Sequence, residues 1–228
     1  MYPLFQCFLL ILITSIAHIG ITNPNEVSKT DYVSNEGSII FFFSTYMPSL
    51  GKIVIWLMVL YQALYLLLQG LIPSAIPMFY PQVSPFVDLL PFTWTSMIGF
   101  SLVFIGGLGR IWCYRTLGRF FTFQVTIRRG HTLIQTGPYA YVRHPSYTFA
   151  YILMVGLLFI QQRLIYFFPN QWWVQILCGP AGILTLCIVI FISLRRRVKV
   201  EEQELSKAFG NEWTQYVSKT KQFLPGLF

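Results

Sequence analysis

Gly137-Pro138-Tyr139-Ala140-Tyr141-Val142-Arg143-His144-Pro145-Ser146-Tyr147, running straight into the apolar stretch that ends at Phe168, is the passage whose reading decides the fold. Pro145 has no N–H and a φ close to the helical value. It therefore suits the first turn of a helix and pushes His144 out of the helical region. The segment Tyr147 to Phe168 approaches the roughly 20 apolar residues needed to cross a bilayer. Arg143 and His144 then sit at the amide-rich, positive start of a membrane helix, where anionic groups are favoured. Two readings are open here: a binding site, or cationic interfacial anchors with the tyrosines in an aromatic belt.

Composition places the rest of the chain in the same setting. Of 228 residues, 55% are hydrophobic and only 11% charged, and the mean hydropathy is +0.59. The expected fold is all-α, a multi-pass membrane bundle of about five spans with a cytosolic loop and a C-terminal helical tail. A net charge of +8 raises nucleic acid as a partner, but the distribution of the cations argues against it. Arg110, Arg115, Arg119, Arg128, Arg129 and Arg143 are read as one basic loop. Arg195, Arg196, Arg197, Lys199, Lys207, Lys219 and Lys221 lie in the tail. Both regions flank spans, which points to anionic headgroups. Cys7, Cys113, Cys178 and Cys187 have no C-x-x-C spacing and no nearby His, so they read as small buried apolar groups and no metal site is expected.

The spans expected are Leu4 to Ile21, Ile53 to Ile72, Phe92 to Trp112, Tyr147 to Phe168 and Trp173 to Leu194, the last two joined by a turn at Pro169-Asn170. The first run lacks a basic flank, which favours a retained span over a cleaved signal, with both readings open. Phe41-Phe42-Phe43 lies in the interface or lengthens the second span. Pro73, Pro77, Pro81, Pro85 and Pro91 punctuate a loop of turns and extended chain. Gly106-Gly107-Leu108-Gly109 sits in a membrane helix with no strand before it, so it reads as close helix packing and not as a phosphate-binding turn. This topology puts the basic loop and tail on the cytosolic face and leaves only Arg163 of the Lys and Arg residues on the far side.

Beyond the last span, Arg197 to Phe209 has helical spacing. Val198, Glu202, Leu205 and Phe209 share one face, and Arg197, Glu201, Glu204 and Ala208 a neighbouring stripe. Gly210 is placed to end this helix and Asn211 to cap another carrying Trp213 and Tyr216. Arg197 and Glu201, one turn apart, are either an exposed intrahelical pair or a cation and a carboxylate presented together to the site around His144. Glu202 is suited to brace the helix through a polar partner. The tail can fold back over the loop.

The ordered set of Gly137-Pro138-Tyr139, His131-Thr132-Leu133-Ile134, Arg143-His144-Pro145-Ser146-Tyr147, Arg197-x-x-x-Glu201-Glu202-x-x-Leu205 and Phe209-Gly210-x-Glu212-Trp213-x-x-Tyr216 resembles the isoprenylcysteine carboxyl methyltransferase family. The resemblance covers Leu117 to Pro225 and divides the chain into N-terminal membrane helices and linkers, 1–91, and a methyltransferase core, 92–228. It implies an endoplasmic-reticulum enzyme that methylates the C-terminal prenylated cysteine of processed CaaX proteins with S-adenosylmethionine. By the same resemblance, Gln124, His131, Thr132, Leu133, Ile134, Tyr139, His144, Pro145, Ser146, Tyr147 and Glu201 hold the cofactor. Arg197 is the catalytic residue that binds the substrate carboxylate. The sequence departs from the family where Phe149 stands in place of a glycine and where the hairpin turn reads Pro169-Asn170; Phe149 bears on the width of a lipid groove.

The chemistry is consistent with these residue types. An α-carboxyl group has a pKa near ~3.5, so a carboxylate acceptor needs no general base. A guanidinium orients it through its planar fork. A phospholipid N-methyltransferase is the nearest alternative, but its protonated amine needs a proton acceptor, His144 or Glu202, and is repelled by Arg197. A membrane sterol reductase is a weaker alternative. A non-catalytic scaffold binding anionic lipid explains the charge but not the co-occurrence of the two separated motifs.

Overall fold

The computed structural model describes residues 2–25, 38–81, 83 and 93–223. Its helices are α1 (Tyr2–Ile21), α2 (Ser38–Leu71), α3 (Ile76–Phe79), α4 (Trp94–Leu117), α5 (Pro145–Gln161), α6 (Leu164–Phe167), α7 (Trp172–Cys178) and α8 (Pro180–Lys219). Four of them, α1, α2, α4 and α5 with its extension, are long and apolar enough to cross a membrane, and the bent pair α7–α8 meets the same measure when its two parts are taken as one span. The chain is a multi-pass membrane protein. Among the described residues the one β pairing is an isolated parallel bridge between Val142 and Lys221.

Several expected boundaries shift for identifiable reasons. The last span is not a straight helix from Trp173: α7 and α8 meet at a bend of 57°. Gly179 is extended there (φ −72°, ψ 166°) and Pro180, which has no N–H to donate, begins a new helix. The expected span Tyr147 to Phe168 likewise ends as regular helix at Gln161 and resumes as α6. Helix α2 begins at Ser38 and so takes in Phe41 to Phe43. Pro73 and Pro77 open short helical turns, Pro73–Ala75 and α3, where loop and extended chain were expected. Pro85 and Pro91, the 91/92 boundary and Pro225 lie outside the described residues. Arg110 and Arg115 belong to α4 and not to the basic loop, and Arg110 is buried.

The centre of the bundle is the crossing of α4, α5 and α1, made close by glycine. A Cβ on Gly106 would lie 2.5 Å from the Leu153 nitrogen and 2.8 Å from its Cα. One on Gly156 would lie 2.7 Å from the Val103 nitrogen, and one on Gly107 2.5 Å from Cγ2 of Ile16. Without such side chains the backbones approach closely, the usual source of helix association in lipid, where the hydrophobic effect is absent. The Gly106-Gly107 expectation of close packing is borne out. Leu10, Ala17, Val103 and Leu153 are buried at these contacts. Facing outward, Leu57, Trp94, Trp173, Leu184 and Ile188 are exposed, as the lipid-facing side of a span should be.

Helix α8 passes from the apolar run into the charged tail without interruption. It breaks at Gly210, whose φ of 49° favours glycine. Gly210 thus separates two helical segments as expected. It also takes the non-helical position assigned to Asn211, which is already within the second segment.

Candidate active site

The site forms where the start of α5 meets the turns of α8 that follow its apolar run. Pro145 is the first residue of α5, and His144 before it has φ −126° and ψ 53°, off the helical region as its place before proline requires. Its ring is buried, with 2% of the side chain exposed. Above it α8 presents two consecutive carboxylates. Nε2 of His144 is 3.2 Å from Oε1 of Glu202, and Nδ1 is 3.8 Å from Oε1 of Glu201.

These neighbours have different occupations. Glu202 accepts from Arg143 Nε at 2.9 Å and from the Gln222 amide at 2.7 Å, besides its contact with His144. Burial pushes its carboxyl up, but the hydrogen bonds from His144, Arg143 and Gln222 outweigh burial and hold its pKa down at about 2. It braces the helix, as expected. Glu201 accepts from the Tyr147 hydroxyl at 2.6 Å and keeps 30% of its side chain exposed. The Arg197 guanidinium also comes within hydrogen-bonding reach of that hydroxyl, and its Nη2 donates to the Phe123 carbonyl at 2.8 Å. A cation, a phenol and a carboxylate therefore meet at the mouth of α5.

The tail folds back over the loop and closes the base of this arrangement. Arg143 and His144 donate their backbone N–H groups to the Lys221 and Gln222 carbonyls at 2.8 and 3.0 Å. Arg143 Nη1 donates to the Thr220 carbonyl, Tyr216 to the Tyr139 carbonyl at 2.6 Å, and Thr148 to the Phe223 carbonyl at 3.0 Å.

The remaining expected residues are distributed around this cluster. Gln124 is buried next to Phe123, the residue that Arg197 grips. His131 stacks on Phe120 at 4.5 Å and meets the edge of Phe209 at 5.5 Å. Burial pulls its pKa down, Glu201 pulls it up and Arg128 lowers it. Its Nδ1 is buried without a hydrogen-bond partner among the described residues, an atom that a bound polar group would satisfy. Thr132, Leu133 and Ile134 continue as irregular chain, Thr132 exposed and the other two half-buried. Tyr139 is buried with its hydroxyl towards Cys113 of α4, and burial raises its pKa well above the usual value. Ser146 is buried beneath the cluster and bonded to Arg110. The Phe149 ring fills the space that Gly109 leaves on α4. The roles of Arg143, Gln222 and Arg110 were not foreseen. The only sequence signal for Gln222 is its position after the Trp213–Tyr216 helix, which brings the tail back.

Residues 97–207, from α4 through the carboxylates of α8, match the model of the isoprenylcysteine carboxyl methyltransferase family. That segment is similar to the family over just under half of the chain. The protein-S-isoprenylcysteine O-methyltransferase B of Arabidopsis thaliana is 28% identical over 134 residues, which is 58% of this chain and 60% of the relative. A probable protein-S-isoprenylcysteine O-methyltransferase of Oryza sativa subsp. indica is 29% identical over 142 residues, 61% and 66% of the two chains. The Homo sapiens protein-S-isoprenylcysteine O-methyltransferase is 27% identical over 140 residues, 60% of this chain and 44% of its own. The alignments thus take in less than two thirds of each of these relatives. The family segment carries His144, Tyr147, Arg197, Glu201 and Glu202; the tail residue Gln222 that braces Glu202 lies beyond it.

Proposed function

We propose that the protein esterifies the carboxylate of a C-terminal prenylated cysteine, as found on processed CaaX proteins, with S-adenosylmethionine as methyl donor. The observation that carries this reading is the division of labour between the two carboxylates of α8. Glu202 is held by three partners, whereas Glu201 is partly exposed beside Tyr147 and Arg197. A carboxylate that is positioned but not consumed suits the amino or hydroxyl groups of a donor. The positive start of α5 at Pro145 suits the donor's own carboxylate.

Bound S-adenosylmethionine supplies an electrophilic methyl on a sulfonium, which a carboxylate oxygen accepts as the carbon–sulfur bond breaks. Gln124, His131 to Ile134, Tyr139, His144 to Tyr147 and Glu201 hold it, with the unsatisfied Nδ1 of His131 offering one polar contact. Arg197 orients the acceptor carboxylate. It is suited to this because its planar guanidinium is held in place by the Phe123 carbonyl beside Tyr147. Positioning of this kind supplies much of the acceleration when the nucleophile is already ionised. The prenyl chain, at about 0.8 kcal/mol per buried CH₂, keeps the substrate in the lipid that surrounds the bundle. The setting proposed with this activity is the endoplasmic-reticulum membrane with the loop and tail in the cytosol.

The test compares methyl transfer to a farnesylated cysteine and to phosphatidylethanolamine by the wild type, Arg197→Ala and Arg197→Lys, with donor binding measured in parallel. Arg197→Ala should lose prenylcysteine methylation by roughly 100-fold or more while donor affinity changes far less, and Arg197→Lys should recover only part. Full activity in the Ala variant removes Arg197 from the mechanism. Transfer to the phospholipid amine that survives or rises in that variant favours N-methylation instead.

A further inference from the structure

Arg110 lies within the membrane helix α4 and is 8% exposed, and its hydrogen-bond partners among the described residues are all neutral. A buried cation is costly unless its donors are satisfied. Here they reach three helices. Nε donates to the Gly20 carbonyl in the last turn of α1 and to the Tyr114 hydroxyl at 2.9 Å, and that hydroxyl donates to the same carbonyl. Nη1 donates to the Ser146 carbonyl at 3.0 Å and to Oγ of Ser146 at 3.3 Å. The planar guanidinium rests near the Phe123 and Tyr114 rings, 5.4 and 5.2 Å from their centroids.

We propose that Arg110 is a positioning residue for the methyl-transfer site: it ties the end of α1 to the first turn of α5 and so holds His144 and Tyr147 in register beneath the carboxylates of α8. Its placement explains both ends of the link. At α1 the cation meets the Gly20 carbonyl, one of the last-turn carbonyls that have no intrahelical donor, and stabilises the negative end of that helix. At α5 it grips Ser146, which lies between the two residues that contact Glu201. The first helix is by this link part of the site's framework, consistent with Ala17 and Leu10 being buried and with Gly20 standing so close to Leu153 that a Cβ would lie 2.9 Å from Cδ1. Lysine cannot replace the arrangement, because its single ammonium lacks the separated donors of the fork.

The inference rests on the methyl-transfer reading, and two readouts keep their failures apart. The full chain is purified in lipid nanodiscs as wild type, Arg110→Met, Arg110→Lys and Tyr114→Phe. Hydrogen exchange of the 142–150 amides reads the link without reference to activity. S-adenosylmethionine affinity and prenylcysteine kcat and KM read its consequence. Arg110→Met should speed exchange in that segment. In its folded fraction, donor affinity and kcat should fall by roughly 10- to 100-fold, the cost of a slightly misplaced site. Arg110→Lys should recover part of the loss. Tyr114→Phe, which removes one hydroxyl and should fold in any case, should show the same changes on a smaller scale. Unaltered exchange at 142–150 in either Met or Phe variant overturns the positioning role, whatever the activity. If the wild type fails to methylate prenylcysteine, the methyl-transfer reading fails, and the exchange data still decide whether Arg110 holds α5. A stability loss with unaltered donor affinity and kcat in the folded protein makes Arg110 a structural cation only and also overturns the proposal.

Discussion

Apart from the hydrogen bonds of Arg110 to Ser146 and of Gln62 to Gln161, helix α5 is held by two kinds of contact that share almost no chemistry. Its middle lies against α4 and α1, where Gly106, Gly99 and Gly156 remove side chains so that backbones touch. Its first turn lies against α8 and the tail, where Arg143, His144, Glu202 and Gln222 form a hydrogen-bonded junction. Lipid supplies no hydrophobic force between helices, so the first region depends on shape alone. The second is at the water boundary, where charges are affordable and each pair can be broken singly. Shape should therefore be the less forgiving of the two, and the carboxylate junction should carry the sensitivity to pH.

The largest effect is expected from Gly106→Val. A Cβ there meets the Leu153 backbone at 2.5 Å, and a helix backbone cannot swing aside as a flexible side chain can. The loss should reach or exceed the roughly 1–3 kcal/mol usual for overpacking, seen as a lowered unfolding temperature in detergent and a poor yield of monodisperse protein. Gly51→Ala is the matched control, since a Cβ at Gly51 meets nothing within 4 Å. It should gain up to about 1 kcal/mol from helix propensity. Equal losses in the two would mean that α4–α5 is not held by close approach.

Glu202→Gln breaks the other region. The variant keeps the shape but leaves Arg143 and His144 without their carboxylate, for a loss of about 1–3 kcal/mol after allowing for partial solvent contact. The pH dependence gives a sharper test. A carboxyl whose pKa falls from 4.5 to about 2 on folding stabilises the protein fully above pH 4.5 and loses that contribution as pH falls towards 2. Unfolding measured from pH 7 down to pH 3 should therefore be less steep in the Gln variant. An acid limb as steep as that of the wild type would place the acid sensitivity in another group.

The two regions also differed in how plainly the sequence announced them. The Gly106-Gly107 pair, Pro145 at a helix start and the 3.6-residue spacing of Val198, Glu202, Leu205 and Phe209 depend on local chemistry, and each is found where its residues imply. The adjacency of His144 and Glu202 depends on the path of α5, α7 and α8; the residues alone left a meeting of the two motifs as one of two open readings, and the resemblance favoured it. Arg110 was misread for a physical reason. In sequence it looks like the first cation of a basic loop, and its burial follows from carbonyls on α1 and α5 that no local window contains. The bend at Gly179-Pro180 was legible in principle, since proline cannot continue the helix it follows, but the apolar composition on both sides concealed it.

The smallest effect separates a residue that belongs to neither region by contact type. His131 is stacked flat on Phe120, with centroids 4.5 Å apart and planes 6° from parallel, and burial lowers its pKa more than nearby Glu201 raises it. A lowered histidine pKa means that the unfolded chain takes up a proton at 6.5 while the folded chain does not. Stability should therefore increase as pH rises from the folded-state value through 6.5, and level off above it. This is the opposite end of the pH range from Glu202, so the two contributions can be separated in one protein. His131→Phe keeps the stack and cannot titrate. Its unfolding temperature should be flat between pH 5.5 and 7.5, a window of about two units around the ordinary imidazole value, where the wild type shows a shallow rise. The same substitution removes the unsatisfied Nδ1, so S-adenosylmethionine affinity should fall even at pH 7.5, where the imidazole is neutral. A variant with a flat stability profile and undiminished donor affinity would leave His131 as a packing residue of the loop. The polar contact to the donor would then have to come from Gln124 or Glu201.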